Sequence, residues 1–172
     1  GSFLHTLDVK KGDRVCVLMG KSHRQVLAQL GALASGAVMV PISDLLKPEQ
    51  AQYIVNDCGI GALIIDHDKI ERLGHLKEKV KIIEAGGNGS VTLDSIAQMG
   101  LASYQPDIVG QDSAAIIYTS GSTGFPKGIV LSHRNLWDGA RIVSSYLGIS
   151  PDDRLAQVLS LNFDYGLNQL FS

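Results

Sequence analysis

The sequence is sparing with several residue types. In 172 residues there are two cysteines, one tryptophan and five prolines, and aromatic residues make up only 6%. Two cysteines are too few for a disulfide framework, and Cys16 and Cys58 show neither CxxC nor Cys/His spacing, which argues against a zinc site. The expectation is two buried free thiols in a reducing compartment, with one disulfide as the alternative. Long apolar runs are missing too. None approaches the roughly 20 residues of a membrane span, and the start lacks a signal-peptide pattern. Charge of one sign is also lacking: the net charge is −2, with both signs interspersed, so no footprint for nucleic acid or an anionic membrane is expected. The default location is cytoplasmic, with no nucleic-acid partner.

What the chain does have is a globular composition, 45% hydrophobic and 19% charged, long enough for one good core. Short apolar runs alternate with amphipathic ones. Val15-Cys16-Val17-Leu18, after the Gly12-Asp13 turn, reads as a buried strand. A helix follows from about Ser22, with Val26, Leu30 and Leu33 on its apolar face. Ala37 to Ile42 reads as a second buried strand, ended by Pro41. Pro48 suits the first position of a helix in which Ala51, Ile54, Val55 and Cys58 repeat, and Gly59 stops it. Ala62 to Ile65 and Val80 to Glu84 are further strands around a charged helix over Lys69 to Lys79. Gly86 to Ser90 is turn chemistry without the spacing of a dinucleotide fingerprint. Ala114 to Tyr118 is a strand, and Ile129 to Leu131 lead to a helix capped by Ser132. That helix carries Leu136, Ala140, Val143 and Leu147 as its stripe and stops at Gly148. Leu155 to Leu161 reads as a last strand. The pattern predicts an α/β protein with a mostly parallel sheet covered by helices on both faces.

The stretch Tyr118 to Gly128, YTSGSTGFPKG, follows its strand directly, and in such sheets ligands bind beyond the carboxyl ends of the strands. As a flexible linker it would need neither Pro126 nor Lys127. As a P-loop it fails, because Pro126 stands where glycine is required and Gly128 where Ser or Thr is. Its glycines let successive backbone N–H groups converge on one anion, its hydroxyls add donors, and its lysine adds a mobile charge. Phosphate handling is the physical reading.

The same stretch resembles the signature loop of the adenylate-forming superfamily of acyl-CoA synthetases, peptide-synthetase adenylation domains and beetle luciferases. Leu33 to Ser43 (LASGAVMVPIS), Gly12-Asp13-Arg14-Val15 and Leu131 to Leu136 (LSHRNL) resemble further motifs of that family, in the same order. The resemblance implies that the chain, residues 1–172, is an incomplete N-terminal AMP-binding domain, without the later nucleotide motifs and the C-terminal domain with its catalytic lysine. It implies activation of a carboxylate by Mg²⁺-ATP to an acyl-adenylate, then transfer to coenzyme A or to the phosphopantetheine of a carrier protein. Thr119, Ser120, Gly121, Ser122, Thr123 and Gly124 would cradle the ATP phosphates, with Lys127 beside them. Lys127 also reads as a solvated lysine at the base of the loop. Phe163 and Asp164 fall where the family has a substrate-site FDxS, but Gly166 replaces its serine, and Asp164 also reads as a helix N-cap. Tyr118 is expected to pack at its strand end and His133 to hydrogen-bond locally. The resemblance assigns this stretch no catalytic residue and no protein metal cage. The incomplete chain is expected to be inactive alone. The alternatives are an amino-acid adenylation domain of a nonribosomal peptide synthetase, or a non-catalytic phosphate- or nucleotide-binding module.

Overall fold

The computed structural model describes residues 1–71, 80–87, 91–119 and 125–172. In chain order the elements are α1 (Ser2–Thr6), β1 (Arg14–Leu18), α2 (His23–Ala34), β2 (Val38–Ile42), α3 (Pro48–Cys58), β3 (Ala62–Asp66) and β4 (Lys81–Ala85). After these come α4 (Leu93–Gln98), β5 (Ser113–Thr119), β6 (Lys127–Ser132), α5 (His133–Leu147) and α6 (Asp164–Phe171). The strands form one sheet in the order β4-β3-β1-β2-β5-β6. The first five run parallel, and β6 returns antiparallel to β5. Among the described residues no helix is long and apolar enough to cross a membrane.

The near-continuous apolar strands follow from burial on both faces, since successive side chains of a strand point to opposite sides. Val15 and Val17 join Ala28, Ala32, Met39, Ile64 and Leu167 in one core. Their neighbours Cys16 and Leu18 join Val40, Ala51, Ile54, Leu63 and Ile65 in the other. The helix ends follow local chemistry. Ser22 accepts the Gln25 N–H to cap α2, Pro48 opens α3 and Gly59 closes it at φ 57°. Ser132 caps α5 through the Asn135 N–H, and Gly148 ends it at φ 66°.

Four sequence expectations are corrected. Pro41 does not end its strand: β2 runs through it to Ile42, in register with β1. On α2 the buried face carries Gln25, Ala28, Gln29 and Ala32, while Leu30 is exposed and Val26 and Leu33 are only half-buried. Small alanines let the helix approach the sheet, and the glutamines have partners inside, described below. On α5 the stripe fades at its end, where Leu147 is exposed. Leu155 to Leu161 forms no strand and stays outside the sheet, where side chains bind its carbonyls instead of a ladder. The Gln169 amide donates to Ala156 O, and Lys21 Nζ donates to Gln157 O. The helix expected from Lys69 begins in a tight turn over 67–71, and 72–79 lie outside the described residues.

Candidate active site

The site begins where the sheet parts. Among the described residues β2 and β5 pair at one register only, Met39 with Ala115. Two residues further, Pro41 has no N–H to offer a ladder, which suits a strand losing a neighbour. The chain leaving β2 turns back through α3 to β3, across β1, while the chain leaving β5 goes outward to β6. Connections departing in opposite directions open a crevice at the carboxyl ends of the strands. Here it holds about 250 Å³. It is lined by Pro41, Ile42 and Ser43 from the end of β2, Leu46 ahead of α3, Gln50 and Ile54 of α3, Tyr118 and Thr119 from the end of β5, Pro126, and Asn162 and Phe163 ahead of α6.

Thr119, the last residue of β5, thus lies on the crevice, as the sequence pattern expects of a ligand residue. Ser120, Gly121, Ser122, Thr123 and Gly124 lie outside the described residues. The loop's two ends are held together, since Thr119 pairs with Lys127 across the β5–β6 ladder. Lys127 is exposed there. Phe125, on the loop's far side, packs on Tyr53 of α3 with ring centroids 5.2 Å apart.

Tyr118 packs at its strand end, as expected, and its hydroxyl donates to Asp57 Oδ2 at 2.5 Å. Burial, and then this bond to a carboxylate, push its ionisation far above the usual phenol range, so it is a neutral donor. Its ring lies over Gly128, where a Cβ would come within 2.8 Å of Ile116 Cγ2 and 3.2 Å of Tyr118 Cζ. Behind it, Cys16 and Cys58 are free thiols with sulfurs 4.0 Å apart. Burial raises the Cys16 thiol, while its hydrogen bond with Cys16 lowers that of Cys58.

The crevice wall is braced from the sheet. Lys69 Nζ reaches Asp66 at 2.8 Å and Asp44 at 3.2 Å, and Asp66 also accepts the Gly20 N–H at 2.7 Å. Burial works against the Lys69 charge, but the two carboxylates outweigh it and raise its pKa. Asp44 follows directly on Ser43, so this cluster ties the β2–α3 turn to the ends of β1 and β3.

Phe163 and Asp164 part company. Phe163 precedes α6 and lines the crevice, whereas Asp164 is exposed in the first turn of α6, where its Oδ1 accepts the Tyr165 N–H. Asp164 borders a separate groove between α5 and α6, with Asn135 and Asn168. The His133 ring does not make the expected local bond: only its backbone N–H donates, to Asp112 O, and Nε2 is buried without a partner among the described residues. Burial lowers its pKa.

Sequence reasoning missed Ser43, Gln50 and Asn162, and with them Gln25 and Gln29. The one signal was two glutamines four apart in the otherwise apolar run from residue 25 to 34 of α2.

A sequence model of a family described as AMP-binding enzyme matches residues 1–172. The chain belongs to the AMP-binding enzyme family. The nonribosomal peptide synthetase VlmS of a Lecanicillium species is 32% identical over 157 residues, 90% of this chain and 2% of its own length. Among solved structures of this family's fold, ATP-bound MatB of Rhodopseudomonas palustris superposes with a TM-score of 0.86 at 27% identity, over 98% of this chain and 34% of its own. A benzoate CoA ligase of Burkholderia xenovorans LB400 gives 0.86 at 26% over the same shares. The chain therefore spans about a third of these ligases, and the mixed sheet flanked by helices is that of the N-terminal domain of adenylate-forming enzymes.

Proposed function

We propose that the chain is part of the N-terminal domain of an AMP-forming acid–thiol ligase. The observation that carries this is Thr119, which ends β5, heads a glycine- and hydroxyl-rich stretch of the sequence and lines a largely apolar crevice, in a chain of the AMP-binding family. A polyphosphate held at the loop beside an acid in the crevice brings carboxylate and α-phosphorus together. One carboxylate oxygen attacks that phosphorus, the bond to the bridging oxygen breaks, and pyrophosphate leaves with its electron pair, giving the acyl-adenylate. The thiol of coenzyme A or of a carrier phosphopantetheine, losing its proton, then attacks the acyl carbon, the acyl–oxygen bond to the phosphate breaks, and AMP leaves with its electron pair.

Thr119, Ser120, Gly121, Ser122, Thr123, Gly124 and Lys127 are the residues proposed to hold the phosphates, through backbone N–H groups, hydroxyls and one charge. Mg²⁺ has no carboxylate among the described crevice residues, so it is proposed to arrive on the nucleotide. Tyr118, neutral and tied to Asp57, holds the β5 end in place. Phe163, which lines the crevice, is proposed to contact the acid. The 172 residues alone are proposed to make no adenylate.

The test is ATP–pyrophosphate exchange by the full-length parent with fatty, aryl and amino acids. Exchange driven by fatty or aryl acids is expected, and none from the 172-residue chain. A folded, ATP-binding parent that exchanges with no acid would overturn the ligase reading in favour of a phosphate-binding module. A second reading has its own observation, the peptide-synthetase relative together with Asp164 in the α5–α6 groove. Exchange with amino acids alone, lost in Asp164→Asn, would establish an ammonium partner there.

A further inference from the structure

Two fully buried glutamines on α2 reach across the molecule to one short segment. Gln29 Nε2 donates to Leu161 O at 2.9 Å, and Gln25 Nε2 donates to Asn162 Oδ1 at 2.7 Å and to Met19 O at 3.3 Å. The Met19 carbonyl decides how these amides face. A carbonyl only accepts, so the Gln25 atom beside it must be the NH₂. The same NH₂ meets Asn162, so the Asn162 atom facing it must be the oxygen. The NH₂ of Asn162 is thereby turned away from α2. Asn162 is 4% exposed and lines the crevice. Its Oδ1 and backbone N–H have partners, whereas its Nδ2 has none among the described residues.

We propose that Asn162 Nδ2 is a preset donor to the carboxylate oxygen of the acid bound in the crevice, with Gln25 as the positioning residue that fixes its direction. The proposal rests on the ligase reading above. An oxygen acceptor is the required chemistry, since an NH₂ can only donate. An acid with an apolar body fits the remainder: Ile42, Leu46, Ile54 and Phe163 line the same crevice, and no charged side chain lines it among the described residues. In such surroundings one oriented donor discriminates strongly, because a partner that cannot accept leaves it buried and unpaired. A phosphate oxygen of ATP offers the same acceptor chemistry, and the kinetics separate the two.

Asn162→Asp keeps the Oδ1 acceptor for Gln25 and turns the donor into an anion. In the full-length parent it should raise the KM for the acid about tenfold or more, leaving the KM for ATP and kcat nearly unchanged. Gln25→Met, which frees the amide to rotate, should raise the same KM several-fold. The double variant should show less than the product of the two, because both act through one bond. A rise confined to the KM for ATP, or no change in the KM for the acid while wild type exchanges normally, would overturn the assignment and leave the ligase reading intact. Absence of exchange in wild type would overturn both. Should Asn162→Asp fail to melt cooperatively, Asn162→Ser withdraws the donor by shortening the side chain, and the same outcomes apply.

Discussion

The two sides of the crevice are built differently. On the β4-β3-β1-β2 side the strands pair over four or five registers each, and Val15, Cys16, Val17, Met39 and Leu63 have no exposure at all. On the β5–β6 side, β6 exposes most of its length, and Val130, Trp137 and Tyr146 are 59%, 70% and 86% exposed. The first side is a finished two-faced core. The second joins that core through Ala115, Ile117 and Leu167, but β6 and most of α5 are left open beyond the hairpin, the α5–α6 contact and the bonds from Gln25 and Gln29. A site at such a seam inherits rigidity from one wall and adaptability from the other.

The largest test of this contrast is truncation on each side. Ile65→Ala, in the finished core, should cost about 2–5 kcal/mol in urea unfolding. Val130→Ala on β6 should stay within about 0.5 kcal/mol. A comparable loss at Val130 would mean that β6 is covered in solution and that the contrast is false. Next comes the seam itself. Gly128→Ala places a Cβ 2.8 Å from Ile116 Cγ2, and the forced shift of the Tyr118 ring should cost about 1–3 kcal/mol. Loss of the Tyr118–Asp57 bond should accompany it, read from the phenol's ultraviolet titration moving back toward the ordinary range.

A smaller effect should appear with pH. Burial lowers the pKa of His133, so between that value and the ordinary 6.5 the unfolded chain binds more protons than the folded one. Its contribution is fully present above pH 6.5 and is lost as pH falls through the lowered value. His133→Gln should flatten the fall in unfolding midpoint between neutral and mildly acid pH, and an unchanged slope would remove His133 as its source. Smallest of all, Trp137, the only tryptophan, should emit as a solvated indole in dilute 172-residue chain and shift to the blue with concentration. A blue-shifted emission at the lowest concentration would show the open side already covered.

Much of the finished side was legible in the sequence. The apolar runs of β1, β2 and β3, Pro48 and Gly59 bounding α3, and Ser132 and Gly148 bounding α5 are signals read within a few residues. The seam was harder. Of YTSGSTGFPKG, Tyr118, Thr119 and Pro126 line the crevice, as does Phe163. Asp164 was grouped with Phe163, yet one residue further along, at the start of α6, the chain presents it to a different groove. Leu155 to Leu161 has strand composition, but composition does not decide whether a segment joins a sheet.

The sequence by itself determined the alternation of strands and helices, the helix ends and the family loop, because periodicity, capping and backbone freedom are local properties. Only the tertiary structure decided that β2 and β5 part beyond Met39, that α2 turns glutamines inward, and that Asn162 faces the crevice with its amide oriented. The physical reason is distance along the chain: Gln25 and Asn162 are 137 residues apart, and neither carries a local sign of the other.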